Sequence, residues 1–181
     1  MKECADILKA LPPQAELWSR WDKSDPNSNT RVDHYPVSSI RKIKRPWDTK
    51  LVKIEGEDIT LNDIEHRILR PIWRDSRVHY AVNCASVGCP DLQPVAFTAE
   101  NLESLLNESA KDYINHERGV QFKGKTLQAS SIFHWYESDF GGSADSLVQH
   151  FLKYANPGLA QKLKGYRGKI SYTYDWSLNG L

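Results

Sequence analysis

The fold is decided by residues 98–127, TAENLESLLNESAKDYINHERGVQFKGKTL. After Thr98, which has the side chain of a helix N-cap, apolar residues recur with the spacing of one face of an α-helix. These apolar residues are Leu102, Leu105, Leu106, Ala110, Tyr113 and Ile114. Two short β-prone runs, Val120–Phe122 and Thr126–Leu127, then flank Lys123-Gly124, which is typical of a hairpin. A long amphipathic helix followed directly by a hairpin predicts an α+β domain.

On the N-terminal side of this stretch, the same two patterns recur. Residues 50–59 predict a first hairpin that turns at Gly56. Thr60 then has the side chain of an N-cap, and the apolar spacing after it predicts a helix that ends at Pro71. The apolar run at residues 77–83 predicts a strand in the centre of a sheet.

On the C-terminal side, Ser131 is predicted to cap a short helix. A further helix is predicted over residues 147–154 and should end at Pro157-Gly158. The run of β-branched and aromatic residues at 169–175 predicts a closing strand. Since hairpins and helices alternate without a βαβ rhythm, we expect an α+β fold. Its small mixed or antiparallel sheet, with hairpins, should pack against several amphipathic helices.

Composition excludes several classes of protein. The chain has 181 residues, with 24 basic and 23 acidic side chains and a formal net charge of +1. This near balance argues against a nucleic-acid or anionic-membrane surface. No apolar stretch reaches the roughly 18–20 residues that span a bilayer, and no signal peptide is evident, so a cytoplasmic location is expected for the chain as it stands. Three cysteines are too few for a disulfide-built scaffold, and no motif indicates a cofactor or a metal.

Three longer motifs resemble one family. They are residues 63–71 (DIEHRILRP), residues 78–86 (VHYAVNCAS) with Cys89-Pro90, and residues 130–141 (SSIFHWYESDFG). Together with residues 174–179 (YDWSLN), they are similar to domain-of-unknown-function family 547. The resemblance implies a single α+β domain over residues 35–181. It implies no particular reaction, because the family has no settled activity.

The N-terminal arm resembles a different part of that family. Residues 17–34 resemble the opening of typical bacterial members, whereas the sequence from Tyr35 resembles a block much further along. The helices between, one with a W-I-N-x-Y-N-A-L-T-like motif, are missing, so residues 1–34 form an atypical arm on a shortened member. Such a deletion would uncover apolar surface, and self-association is expected through it. Bacterial relatives often begin with an export signal, so the resemblance implies exported or periplasmic relatives.

Cys84 and Cys89 are the first candidates for chemistry. Cys84 follows an apolar run and precedes a small-residue turn rich in backbone N–H groups, which suits a thiol nucleophile. His79 is the candidate base, although on a straight strand its side chain and that of Cys84 would point to opposite faces. Three other interpretations stay open: a Cys84–Cys89 disulfide, two buried thiols, or part of a zinc site without a second ligand pair.

Glu65, His66 and Asp139 are the other candidate residues. Neighbours on a helix point about 100° apart, so Glu65 and His66 cannot chelate one ion together. Glu65 either pairs with Arg70 or Arg74 or acts as a general base. His66 either packs in the core, which we favour, or faces a cleft. Asp139 either orients a histidine or caps the turn that follows it.

Two functions from different classes follow. The first is a non-catalytic binding or accessory module, in which these residues hold the core together. The six tryptophans are scattered along the chain, which favours anchoring roles over one stacking surface. The second is a thiol-dependent hydrolase or acyl-transferase of papain-like or transglutaminase-like type, in which Cys84 and His79 lie within about 4 Å in a cleft. The missing helix favours the first function. The substrate and the partner are not specified by these patterns.

Overall fold

The computed structural model describes residues 38–179. The predicted arm 1–34 and the junction at His34–Tyr35 lie outside these residues, so the predicted domain boundary stays a prediction. In chain order the elements are the 3₁₀ helices Ile40–Lys42 and Pro46–Asp48, strands β1 (Lys50–Ile54) and β2 (Glu57–Thr60), helix α1 (Leu61–Asp63, then Ile64–Leu69 in π form, then Arg70–Trp73), the 3₁₀ helix Ser76–Tyr80, α2 (Leu102–Asn115), β3 (Val120–Lys123), β4 (Thr126–Ser130), α3 (Ile132–Trp135), the 3₁₀ helix Glu137–Phe140, α4 (Ala144–Tyr154), α5 (Pro157–Leu163) and β5 (Ile170–Thr173). Within the part of the chain described, no helix is long and apolar enough to cross a membrane.

The strands form two small sheets. β1 and β2 make an antiparallel hairpin in which Ile54 pairs with Glu57. β3 and β4 make a second antiparallel hairpin, and β5 adds to β4 in parallel, with Leu127 opposite Ile170. Both predicted hairpins and the closing strand are confirmed. The second sheet is mixed and the helices pack around it, so the α+β prediction is confirmed as well.

The core lies between the β3-β4-β5 sheet and helices α2 and α4. The apolar face of α2 predicted from its spacing is buried there, with Ala110 and Ile114 fully excluded from solvent. α4 contributes Leu147, Val148 and Phe151 to the same core. Periodic apolar residues therefore build the layer on which the rest of the chain is supported.

Two helix starts differ slightly from the prediction. α2 begins at Leu102 rather than directly after Thr98, because Thr98 and Asn101 first close a turn on each other. At α3, the hydroxyl that accepts from the Ile132 N–H at 3.3 Å belongs to Ser130, not to Ser131. Polar side chains beside a helix start compete for the same N–H groups, so the choice of cap depends on neighbouring contacts.

The predicted strand at residues 77–83 is wrong. Its first part is the 3₁₀ helix Ser76–Tyr80, in which the Val78 N–H donates to the Asp75 carbonyl at 3.1 Å. Asp75 also caps this helix by accepting from the Arg77 N–H. A short buried apolar run fits a strand or a buried helical turn equally well, so spacing alone could not separate them. The argument that His79 and Cys84 point to opposite faces of a strand no longer applies.

Two prolines do not end helices as predicted. α1 continues through Pro71 to Trp73, and the wider π turns before it relieve the clash that the proline ring would make in a regular α-helix. Pro157-Gly158 does not terminate structure but opens α5, which Asn156 caps by accepting from the Leu159 N–H at 2.9 Å. Proline fits the first turn of a helix, where its missing N–H has no partner in any case.

The C-terminal segment after β5 crosses the loop that carries Cys84 and Cys89. The Val87 N–H donates to the Ser177 carbonyl at 2.8 Å, and the Gly88 N–H donates to the Asp175 carbonyl at 2.9 Å. This pairing fixes the cysteine loop against residues nearly ninety positions later in the chain.

Candidate functional site

One cleft gathers most of the residues that the sequence selected. Its volume is about 370 Å³, and α1, the cysteine loop and the C-terminal segment surround it. Five of the predicted residues line it: Glu65, His66, His79, Cys84 and Cys89. The other lining residues are mostly apolar or aromatic: Trp47, Leu61, Asn62, Ile64, Leu69, Val82, Asn83, Leu92, Ile132, Trp135, Tyr136 and Trp176.

Asp139 lies behind His79. Its Oδ2 accepts from His79 Nε2 at 2.8 Å, and Arg70 donates to the same carboxylate through Nε at 2.6 Å and Nη2 at 3.0 Å. These contacts, the Arg70 hydrogen bond first, lower the pKa of Asp139 to about 2. An ionised carboxylate only accepts, so His79 carries its proton on Nε2 and leaves Nδ1 without one. Asp139 thus occupies the position of a group that orients a histidine.

His79 is almost fully buried, with 2% of its surface exposed. Its ring stacks on Tyr136 at 4.1 Å between centroids, and Nδ1 lies 3.9 Å from the Glu65 carboxylate. Burial lowers the pKa of His79 more than the two carboxylates raise it. His79 is therefore a neutral imidazole at pH 7.

Glu65 and His66 lie at the rim of the cleft. The Glu65 carboxylate lies 4.0 Å from His66 Nδ1, while Arg70, one of the arginines proposed to pair with Glu65, binds Asp139 instead. His66 is exposed, and its Nδ1 lies 3.1 Å from Arg70 Nη1. The core position that the sequence favoured for His66 is wrong, because its side chain is exposed and lines the cleft.

Cys84 and Cys89 are free cysteines whose sulfur atoms lie 2.7 Å apart. Cys89 Sγ also accepts from the Cys84 backbone N–H at 2.9 Å and from the Tyr174 hydroxyl at 3.1 Å. The Cys84 thiol, first, and then Tyr174 and this N–H lower the pKa of Cys89 from its usual range, although burial opposes them. The pKa of Cys84 is raised by its neighbour and by burial. The predicted disulfide stays a prediction.

Local backbone geometry holds the cysteine loop in shape. Ala85 adopts a left-handed φ of 60°, and its N–H donates to Asn83 Oδ1 at 2.7 Å. Asn83 Nδ2 donates in turn to the Pro90 carbonyl at 2.8 Å. Gly88 leaves room for Tyr174, since a Cβ there would lie 2.9 Å from its ring.

Tyr113 ties this loop to α2. Its hydroxyl donates to the Gly88 carbonyl at 2.6 Å and accepts from the Ser130 hydroxyl at 2.8 Å. Tyr113→Phe should lower the free energy of unfolding by about 1–3 kcal/mol, since the buried Gly88 carbonyl loses this donor and the buried Ser130 hydroxyl loses one of its two partners. Urea unfolding followed by circular dichroism measures this loss. Tyr166→Phe, at a more exposed hydroxyl that contacts Leu127 and Lys169, is the matched control, and an equal loss in both variants would contradict the role of burial.

Three tryptophans, Trp47, Trp135 and Trp176, form an aromatic wall on one side of the cleft together with Tyr174. The sequence patterns did not predict this wall. Trp135 packs against Tyr174 at 4.8 Å and Trp176 at 5.4 Å between centroids, and Trp47 lies 6.3 Å from Trp176. Trp135 keeps 47% of its surface exposed. The three tryptophans come from distant parts of the chain, so no local signal could reveal the cluster. Their scatter along the sequence was therefore a poor guide to their positions in space.

No group of three or more histidine, cysteine, aspartate or glutamate side chains that could hold a metal ion occurs within residues 38–179.

A family model described as "Protein of unknown function, DUF547" matches residues 19–114, more than half of the chain. The chain belongs to the DUF547 family. The comparison with curated proteins found no match, and neither did the comparison with solved structures. The predicted family is therefore confirmed, and its description assigns no function.

The DUF547 match continues through the predicted junction at His34–Tyr35 and ends at Ile114 within α2. All five predicted residues that line the cleft lie inside the matched range. Asp139 and the aromatic residues Trp135 and Trp176 lie beyond it. The DUF547 match thus covers the cysteine loop and α1 but not the elements that hold Asp139 and most of the aromatic wall.

Proposed function

We propose that this DUF547 chain is a non-catalytic binding module whose cleft takes a small ligand with a flat apolar part and a positively charged group. One observation carries the proposal: the aromatic wall and the Glu65 carboxylate line the same cleft. The wall offers stacking surface, and the carboxylate offers a partner for a cation.

The size and lining of the cleft support binding of a small molecule. Its volume of about 370 Å³ falls in the range of small-molecule pockets, roughly 300–1,000 Å³. Such pockets are mostly apolar with a few polar groups that fix orientation. Here Leu61, Ile64 and Leu92 lie among the apolar lining residues, and Asn83 and Glu65 are among the polar ones.

The charge of the cleft supports a cationic ligand. Among the described residues that line it, Glu65 is the one carboxylate and none is lysine or arginine. The hydrogen bonds from Cys84 and Tyr174 lower the pKa of Cys89, so this side of the cleft also favours negative charge over positive charge on the protein. The guanidinium of Arg41 already lies 5.3 Å from the centre of the Trp176 ring, so this wall accommodates a cation. A cleft lined by a carboxylate and by no lysine or arginine favours a positive group over a negative one.

The partners of the candidate catalytic groups also support a non-catalytic role. A thiol hydrolase needs its histidine to take the proton of the cysteine. Here the proton of Cys84 faces Cys89, and His79 is bound by Asp139 and stacked on Tyr136. The hydrolase alternative draws support from Asp139, which orients an imidazole as catalytic carboxylates do.

The test uses benzyltrimethylammonium, which joins a flat ring to a permanent cation, and phenylacetate, a similar ring with a negative charge. Titrations followed by saturation-transfer NMR should show at least about tenfold weaker binding of phenylacetate. Trp135→Ala should weaken binding of the cation about tenfold, through loss of stacking and cation–π attraction. Glu65→Gln should weaken it as well and should reduce the preference for the cation.

Trp73→Ala is the matched control, because Trp73 is half-buried in α1 and does not line the cleft. Equal binding of the two probes, or equal losses in Trp135→Ala and Trp73→Ala, would contradict the proposal. Turnover of p-nitrophenyl acetate that disappears in both Cys84→Ser and His79→Gln would instead favour the hydrolase.

A further inference from the structure

The cleft contains two cysteine thiols, Cys84 and Cys89, that contact each other. Cys84 lines the cleft and is half-buried, whereas Cys89 beneath it is 4% exposed. Their sulfur atoms lie 2.7 Å apart, and Tyr174 Oη lies 3.1 Å from each of them. This arrangement presents one sulfur to a molecule in the cleft and keeps a second behind it.

The surrounding groups place the negative charge of the thiol pair on Cys89. Three donors converge on Cys89 Sγ: the Cys84 thiol, the Cys84 backbone N–H and the Tyr174 hydroxyl. The hydroxyl of Ser86 lies 3.1 Å from Cys84 Sγ and 2.8 Å from Tyr174 Oη. Negative charge on the deeper sulfur is thereby stabilised, and because the two sulfurs are in contact, the remaining proton can move from Cys84 to Cys89 when a substrate disulfide is attacked.

We propose that Cys84 and Cys89 form a dithiol–disulfide couple that exchanges with a small disulfide entering the cleft. Cys84 Sγ gives its proton to Cys89 Sγ and attacks one sulfur of the substrate, breaking the substrate S–S bond and releasing one thiolate. That thiolate takes the proton from Cys89. Cys89 Sγ then attacks Cys84 Sγ in the mixed disulfide and releases the second thiolate, which is protonated by solvent. Two protein thiols are oxidised and one disulfide is reduced to two thiols.

The loop geometry supports the second step. Resolution of the mixed disulfide requires the deeper sulfur to reach Cys84 without a rearrangement of the chain, and the two sulfurs are already in contact. The loop between them is pinned at Val87 and Gly88 by the C-terminal segment and at Gly88 by Tyr113. A mixed disulfide on Cys84 therefore stays within reach of Cys89. This exchange goes beyond the proposed binding function; it consumes one disulfide per chain, so it is compatible with a module that has no catalytic turnover, and it needs no bound cation.

The experiment uses the full chain with Cys4→Ser, which leaves Cys84 and Cys89 as the two thiols. The probe is 2-hydroxyethyl disulfide under native conditions, with protein and released thiol followed by mass spectrometry. The expected product is a Cys84–Cys89 disulfide, with two molecules of mercaptoethanol released per chain. Reaction only in urea, or accumulation of a stable mixed disulfide in this protein, would overturn the proposal.

Single variants in the same background test the order of the steps. Cys89→Ser should stop at a mixed disulfide on Cys84 and release one mercaptoethanol, whereas Cys84→Ser should react far more slowly.

Tyr174→Phe should move the midpoint of the pH–rate profile upward by about one pH unit, because one hydrogen bond to the thiolate is lost. Tyr172→Phe, at a hydroxyl outside the cleft, is its control. An equal midpoint in the Tyr174 and Tyr172 variants, or identical products from both cysteine variants, would contradict the assigned roles.

Discussion

Phe133→Ala should lower the free energy of unfolding by about 3–5 kcal/mol, a large part of the roughly 5–15 kcal/mol of a typical domain. Phe133 is fully buried and makes edge-on contacts with Phe151 at 4.7 Å and Phe140 at 5.1 Å between centroids. Removal of its ring leaves a cavity where α3, α4 and the 3₁₀ helix Glu137–Phe140 meet. Chemical unfolding followed by circular dichroism measures the change.

Phe122→Ala removes the same side chain from a half-buried position on β3, where it packs edge-on against Tyr166 at 5.4 Å. This control should cost less than about 2 kcal/mol, because much of its surface is already exposed. Similar losses in the two variants would show that Phe133 does not lie at the centre of the core. Since the same helix α3 carries Trp135, Phe133→Ala should also weaken binding of benzyltrimethylammonium.

Acid should destabilise the fold by about 3 kcal/mol between pH 7 and pH 4 through His150. Burial first, and then the charge of Lys153, lower the pKa of His150 from the ordinary 6.5 to about 4. The Tyr80 hydroxyl lies 2.7 Å from His150 Nε2, and a neutral ring can donate or accept in this hydrogen bond. His150 therefore binds a proton below pH 6.5 in the unfolded chain but only below about pH 4 in the folded chain. The free energy of unfolding falls as the pH decreases through this window. Below pH 4 this contribution is fully lost.

Urea unfolding at a series of pH values measures this slope. His150→Gln should flatten the slope while it keeps an acceptor for Tyr80, whereas His134→Gln, at an exposed ring, should leave the slope unchanged. The pKa of His79 is also lowered, so His79 adds a further loss of stability as the pH falls. Asp139, with a pKa of about 2, adds its loss of stability only below about pH 4. A slope that persists fully in His150→Gln would contradict the assignment.

The local sequence pattern was sufficient to predict an element where one physical preference dominated. The apolar spacing of residues 102–114 specifies a buried helix face, and Gly124 permits the left-handed φ of 63° that the second hairpin needs. Thr60 caps α1 as its side chain predicts, and in the structure Asp63 completes a capping box with it. Each of these signals comes from residues within one or two turns of one another. Fold class and most elements could therefore be predicted from the sequence.

The local sequence pattern gave a wrong prediction where the same residues could form either of two secondary structures. The run at 77–83 is apolar enough for a strand, yet Asp75 and the packing of Tyr80 against Tyr113 make it a 3₁₀ turn. Residue type still selected Glu65 and Cys84 as lining residues of one cleft. It could not show their partners, because those contacts depend on where distant segments meet.

The sequence by itself determined the helices, the hairpins and the residue types available for chemistry. Only the tertiary structure decided that Asp139 holds His79, 60 positions away, and that Tyr174 reaches Cys84, 90 positions away. Secondary structure follows from backbone preferences and apolar spacing within a few residues. A site depends on long-range packing of the whole core, which no short segment encodes.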